Sequence, residues 1–268
     1  MKWLLWILMI YLCSCGADEP MTNDIAFQFE DGFEVTSAEL SQLFPADGSR
    51  WSSIQQVGDG NQIEIEQEFV SEGNYALRLF AKATVETLSK MDIEKQGFEA
   101  LENATVSIEA DFFIASEADI ENLLLIDLEC CSCWDPTVPD NQCPGIRLMM
   151  KSNDFLSIER GKILGATLTQ ANVAFPRNEW VNVVWELVLS PNDDGENRLY
   201  INGQEAISVN GMNMPNATLF REEASASGVD FELQEPVFYE RIQIGATANP
   251  TQSDVEIFVD DFKMSIIE

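Results

Sequence analysis

From Ala26 to its end the chain repeats with a period of two. Ile63-Glu-Ile-Glu-Gln-Glu-Phe69, Tyr75–Phe80, Thr105–Phe113, Ile146–Met150, Phe155–Arg160, Trp180–Leu187, Arg198–Ile201 and Val255–Val259 alternate or run apolar, and Leu123–Glu129 is apolar over most of its length. Successive side chains of a strand point to opposite faces, so this pattern predicts strands with one buried face. Turn formers separate them: Gly58-Asp-Gly-Asn61, Glu72-Gly-Asn74, Ser152-Asn-Asp154, Asn192-Asp-Asp-Gly195 and Asn202-Gly203. Helical spacing is confined to Ser37–Phe44 and Ser116–Leu123. Many strands with no intervening helices predict an all-β chain, a jelly-roll sandwich of two antiparallel sheets with very little helix, over residues 25–268. Trp180 and Trp185 differ in parity, so at most one of them reaches the core of a regular strand.

The first fifteen residues break the pattern. After Lys2, Trp3–Leu12 is almost wholly apolar. A bilayer span needs about 20 such residues, so this stretch reads as an export signal. Its end, Leu12-Cys13-Ser14-Cys15, resembles a bacterial lipobox, which would make Cys15 the lipidated first residue of the mature chain and residues 16–24 a tether. The acidic start Gly16-Ala-Asp-Glu-Pro20 resembles the tether of lipoproteins sent to the outer membrane or cell surface. The alternative is an ordinary secretory signal in which Cys13 and Cys15 are incidental. The remaining cysteines, Cys130, Cys131, Cys133 and Cys143, sit in one Pro-containing segment. In an exported chain they predict two disulfides stapling that loop, with three pairings open. A zinc knot is the rival, but the spacing lacks the paired C-x-x-C of zinc ribbons.

Charge narrows the chemistry. Asp and Glu number 46 against 15 Lys and Arg, the net charge is −31, and histidine is absent. That excludes a Ser-His-Asp triad, a Cys-His pair and any imidazole base or ligand. A polyanion is also a poor partner for nucleic acid, and self-repulsion favours a soluble monomer.

Phe175-Pro-Arg-Asn-Glu-Trp180 with its following strand, Ser190-Pro-Asn-Asp-Asp-Gly195, Leu199-Tyr-Ile-Asn-Gly203, Ile242-Gln-Ile-Gly245 and Phe258-Val-Asp260-Asp261 come in an order that resembles concanavalin A-like jelly rolls. The similarity is to the branch of laminin-G-type domains and heparin-lyase-I-like polysaccharide lyases, and Lys90-Met-Asp-Ile-Glu-Lys95 stands where that branch has its substrate-groove strand. The resemblance implies a polysaccharide or oligosaccharide partner. Where those lyases carry a Gln-x-His strand this chain carries Asp127-Leu-Glu129, and with histidine absent only Tyr75, Tyr200 and Tyr239 remain past the leader as proton acceptors of the usual kind. The resulting expectation is a surface lipoprotein that binds glycan without catalysis. The alternatives are a lyase acting on an acidic, uronate-containing glycan and an adhesion domain with no sugar site.

Three constellations could carry function. Asp127 and Glu129 share a strand face about 6.6 Å apart, a pairing that laminarinase-type hydrolases extend to three acids. The simpler reading is that one acid faces solvent and the other pairs with a cation. Arg147, Lys151, Arg160 and Lys162 form a basic hairpin, with Lys90 nearby, suited to uronate through bidentate contacts or to neutralising Asp127, Glu129 and Glu159. Glu30, Asp260 and Asp261 resemble the terminal carboxylates with which such modules hold a structural calcium. Trp134, beside the cysteines, is the preferred sugar-stacking platform. The candidate glycan residues are therefore Lys90, Asp127, Glu129, Trp134, Arg147, Arg160 and Lys162, with calcium as the cofactor.

Overall fold

The computed structural model describes residues 24–84, 89–134, 143–161, 165–226, 228, 230, 232–248 and 253–268. Numbered in chain order, the strands form two antiparallel sheets packed face to face. The back sheet runs β13 (Gln204–Asn210), β12 (Glu196–Ile201), β11 (Val181–Val188), β6 (Thr105–Ile114), β15 (Val255–Ile267), β4 (Ala76–Ala81) and β3 (Gln62–Glu66), and β1 (Ile25–Asp31) pairs with the later half of β15. The front sheet runs β10 (Ala166–Ala174), β9 (Phe155–Gly161), β8 (Gly145–Met150), β7 (Leu123–Glu129), β14 (Tyr239–Ala248), β5 (Lys90–Ala100) and β2 (Ser53–Val57). This is the jelly-roll sandwich that the period-two pattern predicts.

The core lies between the sheets because parity puts it there. On β6, Val106, Ile108, Ala110, Phe112 and Ile114 turn inward while Thr105, Ser107, Glu109, Asp111 and Phe113 turn out. On β11, Trp185 is fully buried, whereas Trp180, just before the strand, lies outside with its ring 5.8 Å from that of Phe113. The front sheet contributes Ile126, Leu128, Ile146, Leu148, Ile158, Ile242 and Ile244 to the same cluster. Each such side chain contributes about 1.5–3 kcal/mol on burial. Central strand β7 is buried at every position, which fits its continuous apolar run.

Helix is scarcer and elsewhere than the sequence suggests. Ser37–Phe44 holds one 3-10 turn, Leu40–Leu43, and Ser116–Leu123 holds no helix but leads into β7. The α-helix, α1 (Ala217–Ala226), buries only Phe220, so it carries no apolar stripe to betray it. Its start is held by Asn216, whose Oδ1 accepts the Leu219 N–H at 2.9 Å. The cysteines pair Cys130 with Cys133 and Cys131 with Cys143, at the end of β7. The leader with Cys15, most of the tether, Lys162 and the loop between Trp134 and Cys143 lie outside the described residues.

Candidate functional site

One polar row crosses the outer face of the front sheet. In register from β2 to β10 stand Ser53, Glu94, Gln243, Asp127, Arg147, Glu159 and Thr167. Ser53 donates to Glu94 at 2.9 Å and Gln243 Nε2 donates to the other Glu94 oxygen at 3.2 Å. Arg147 Nε lies 3.1 Å from Asp127 Oδ2, and Thr167 donates to Glu159 at 3.0 Å. A neighbouring row places Gln96, Arg241, Glu129, Gly145 and Gly161 side by side. Arg241 donates from Nε to Glu129 Oε2 at 2.8 Å and lies 3.5 Å from Glu94. Gly161 makes room for Arg147: a Cβ there would meet Arg147 Nε at 2.1 Å and Cζ at 2.3 Å, so the guanidinium occupies the space a side chain would take.

These groups face outward by parity and yet are buried, Asp92, Glu129 and Gln243 at 0% exposure and Asp127 at 1%. Desolvated charge is costly unless paired, and here Arg147 and Arg241 pair with Asp127 and Glu129. Burial works against the charge of Arg241, but Glu129 first and then Glu94 and Asp127 hold its pKa above the usual guanidinium value. Asp92, opposite Gly245, differs from the rest. Neither of its oxygens has a hydrogen-bond partner among the described residues. Burial pushes its carboxyl well above the usual carboxylate range, with Lys90 opposing and Glu94, Glu129 and Asp127 reinforcing the shift. Lys90 Nζ turns to Gln55 Oε1 at 3.1 Å. A depression of ≈ 650 Å³ opens at the Arg241 end of the face, walled by Phe27, Gln96, Phe98, Cys131 and Glu240.

The structure thus brings Lys90, Asp127, Glu129 and Arg147 to one face, and both acids of Asp127-Leu-Glu129 are buried and cation-paired, so neither is the solvent-facing partner that the sequence suggests. Lys151 joins them through Glu159. Arg160 does not join. It shares the parity of Leu156 and Ile158, and its Nη1 lies 3.6 Å from Met212 Sδ on the core side, near Tyr239. Tyr239 is buried and donates to the Asn213 carbonyl at 2.6 Å, and burial pushes its hydroxyl pKa far up. Tyr75 and Tyr200 belong to the back-sheet side. Trp134 sits half-buried in the cysteine staple beyond Glu129, its main-chain N–H donating to the Cys131 carbonyl at 3.2 Å.

Glu30, Asp260 and Asp261 do not gather. Glu30 is exposed opposite Lys263, Asp261 pairs with Lys263, and Asp260 accepts the Ser71, Glu72 and Asp261 N–H groups at 2.9, 3.1 and 2.8 Å. Among the described residues the metal-capable trio of acid and thiol groups is Glu129, Cys131 and Cys143, and two of those are tied in a disulfide. Sequence reasoning missed Asp92, Glu94, Arg241 and Gln243, although Asp92 and Glu94 stand inside the quoted Lys90–Lys95 stretch and Gln243 inside Ile242–Gly245.

No protein-family model and no curated protein matches this chain. Solved structures do. The endo-β-1,4-glucuronan lyase from the fungus Trichoderma reesei superposes with a TM-score of 0.60 at 11% identity, covering 90% of this chain and 95% of that one. The alginate lyase Aly36B gives 0.55 at 11% identity over 90% and 97%. The marine PL-14 alginate lyase from Aplysia kurodai gives 0.53 at 12% identity over 90% and 98%. At such identities the likeness is one of fold, a jelly roll that polysaccharide lyases also use.

Proposed function

We propose that the front face binds an acidic, uronate-containing polysaccharide and cleaves it by β-elimination. The observation that supports this most is the polar row that runs unbroken across all seven strands of a sheet, with Arg147 in it and Arg241 and Lys90 beside it on the same face. Such a row matches an extended chain lying across the strands, and the fold is one in which the similar solved proteins are glucuronan and alginate lyases. In the elimination the C5 proton leaves to a base, the C4–O4 bond breaks, a C4=C5 double bond forms and the departing O4 takes a proton. Arg147 and Arg241, paired with Asp127 and Glu129, supply the positive charge that uronate carboxylates would meet on this face. Lys90 is the group we assign to the C5 proton, because no histidine exists and the three tyrosines past the leader lie off the face.

The test is absorbance of unsaturated uronate on incubation with glucuronan and with alginate, beside calorimetric binding to the same polymers. Product that grows with time in the wild type and is lost in Lys90→Ala is the expected result. Binding without product in the wild type overturns the elimination and leaves a non-catalytic glycan-recognition domain, the reading that the absent histidine and displaced tyrosines favour. Neither binding nor product overturns both. We also infer from Met1–Cys15 that the chain is exported and lipid-anchored through Cys15 at the cell surface. A mature N-terminus of unmodified mass would refute the anchor.

A further inference from the structure

The front face carries a small group of oxygens that the glycan reading does not use. Asp92 Oδ1 and Oδ2, Gln243 Oε1 and Thr247 Oγ1 are buried and have no hydrogen-bond partner among the described residues. They are neighbours in the sheet. Asp92 on β5 stands opposite Gly245 on β14, and Gln243 and Thr247 flank Gly245 two residues to either side, on the same face. Gly245 adds no side chain between them. Its φ of +132° and the Met91 carbonyl, 2.8 Å from where a Cβ would sit, leave no place for one. Lys90 does not fill the gap, because its ammonium turns the other way, to Gln55 on β2.

Every orphaned atom in this group is an oxygen, and two of the four belong to the Asp92 carboxyl. Hard cations take such donors. Charge points the same way. On this face the carboxyls of Asp92, Glu94, Asp127, Glu129 and Glu159 outnumber the basic groups of Lys90, Arg147, Lys151 and Arg241. Glu94, Asp127, Glu129 and Glu159 each have a side-chain cation within ion-pair distance, and Asp92 has no such partner among the described residues.

We propose that Asp92, Gln243 and Thr247 form a seat for a calcium ion. Asp92 supplies one or both oxygens and Gln243 and Thr247 one each. Calcium takes 6–8 oxygens, so this set leaves positions open on the ion. Resting on the function proposed above, those positions take a uronate carboxylate, which is how a face this rich in acid receives an acidic chain. The site is separate from Glu30, Asp260 and Asp261, which lie on β1 and β15 of the other sheet.

The experiment uses the full mature chain, stripped with a chelator and titrated with calcium chloride, read by isothermal calorimetry and thermal melting. Wild type is expected to bind calcium with a rise in Tm of several degrees at saturation. Asp92→Asn, which keeps shape while removing the excess charge, is expected to melt no lower than the stripped wild type and to lose the calcium response. Thr247→Val is expected to weaken calcium binding at least severalfold, and Asp260→Asn to keep it. No calcium response in the wild type overturns the seat, as does a response that survives Asp92→Asn. Glycan binding is measured with and without chelator. Calcium binding with no glycan binding keeps the seat and sinks the glycan reading, while glycan binding indifferent to both chelator and Asp92→Asn keeps that reading and sinks the seat's part in it.

Discussion

The two sheets bury the same kind of inner face and present opposite chemistry outside. On the front sheet the outer positions of β5, β14, β7 and β8 are acids, amides and arginines locked to one another, as in Arg241 with Glu129 and Arg147 with Asp127. On the back sheet one stretch of the outer face, at Phe113 of β6 and Phe258 of β15, carries rings instead. Phe113 lies 5.8 Å from both Trp180 and Phe258, and Phe69 covers Phe258 at 5.3 Å. Both patches close off a sheet from water, but the front one holds a lattice of paired charges in a dry setting, where a charge acts most strongly on a ligand. Their buried carboxylates differ likewise. Asp127 and Glu129 on the front are balanced by side-chain cations, while Asp260 on the back is held by main-chain N–H groups, and burial lifts its pKa to about 6.

This contrast can be broken experimentally. Arg241→Ala takes the guanidinium from the fully buried Glu129 and should cost roughly 3–5 kcal/mol in denaturant unfolding; a loss below about 1 kcal/mol would mean that the front row is not an ionic lattice. Phe258→Ala should cost about 3 kcal/mol by opening a void under Phe69 and Phe113, with glycan binding unchanged; a binding loss would move the functional face to the back sheet. A smaller effect is expected from pH. Because folding raises the Asp260 pKa above its usual 3.8 to about 6, its contribution is complete below the lower value and is lost as pH rises through the higher one. In chelated buffer, Tm should therefore fall across that window in the wild type, and less steeply in Asp260→Asn. Phe69→Ala, at a residue 47% exposed, should cost under about 1 kcal/mol.

What could be read from the chain follows from what parity encodes. Alternation says that at most one of Trp180 and Trp185 is inside without saying which, and the structure buries Trp185 rather than Trp180, the more usual core candidate; it also put Asp127, Glu129 and Arg147 on candidate faces. It also held the answer for Arg160, which falls in step with Leu156 and Ile158 and so had to turn inward; weighing it by charge rather than by phase drew it into the wrong patch. Arg241 and Gln243 were illegible for a different reason. They meet Asp127 and Glu129 only because β14 inserts between β7 and β5, and a strand's neighbours are set by topology rather than by its own residues. Helix α1 escaped because burying a single residue leaves no period to detect.

The cysteine staple has a consequence for variation. Cys131 and Cys143 are joined with their Cα atoms 4.3 Å apart, and Cys130 and Cys133 fasten the same end again, immediately past Glu129. The stretch between Cys133 and Cys143 is therefore closed at its base by covalent bonds, and its sequence need not encode where it begins or ends. Substitutions in that stretch should therefore leave the ionic rows on β7, β8 and β14 in register, which a melting curve of such a variant checks.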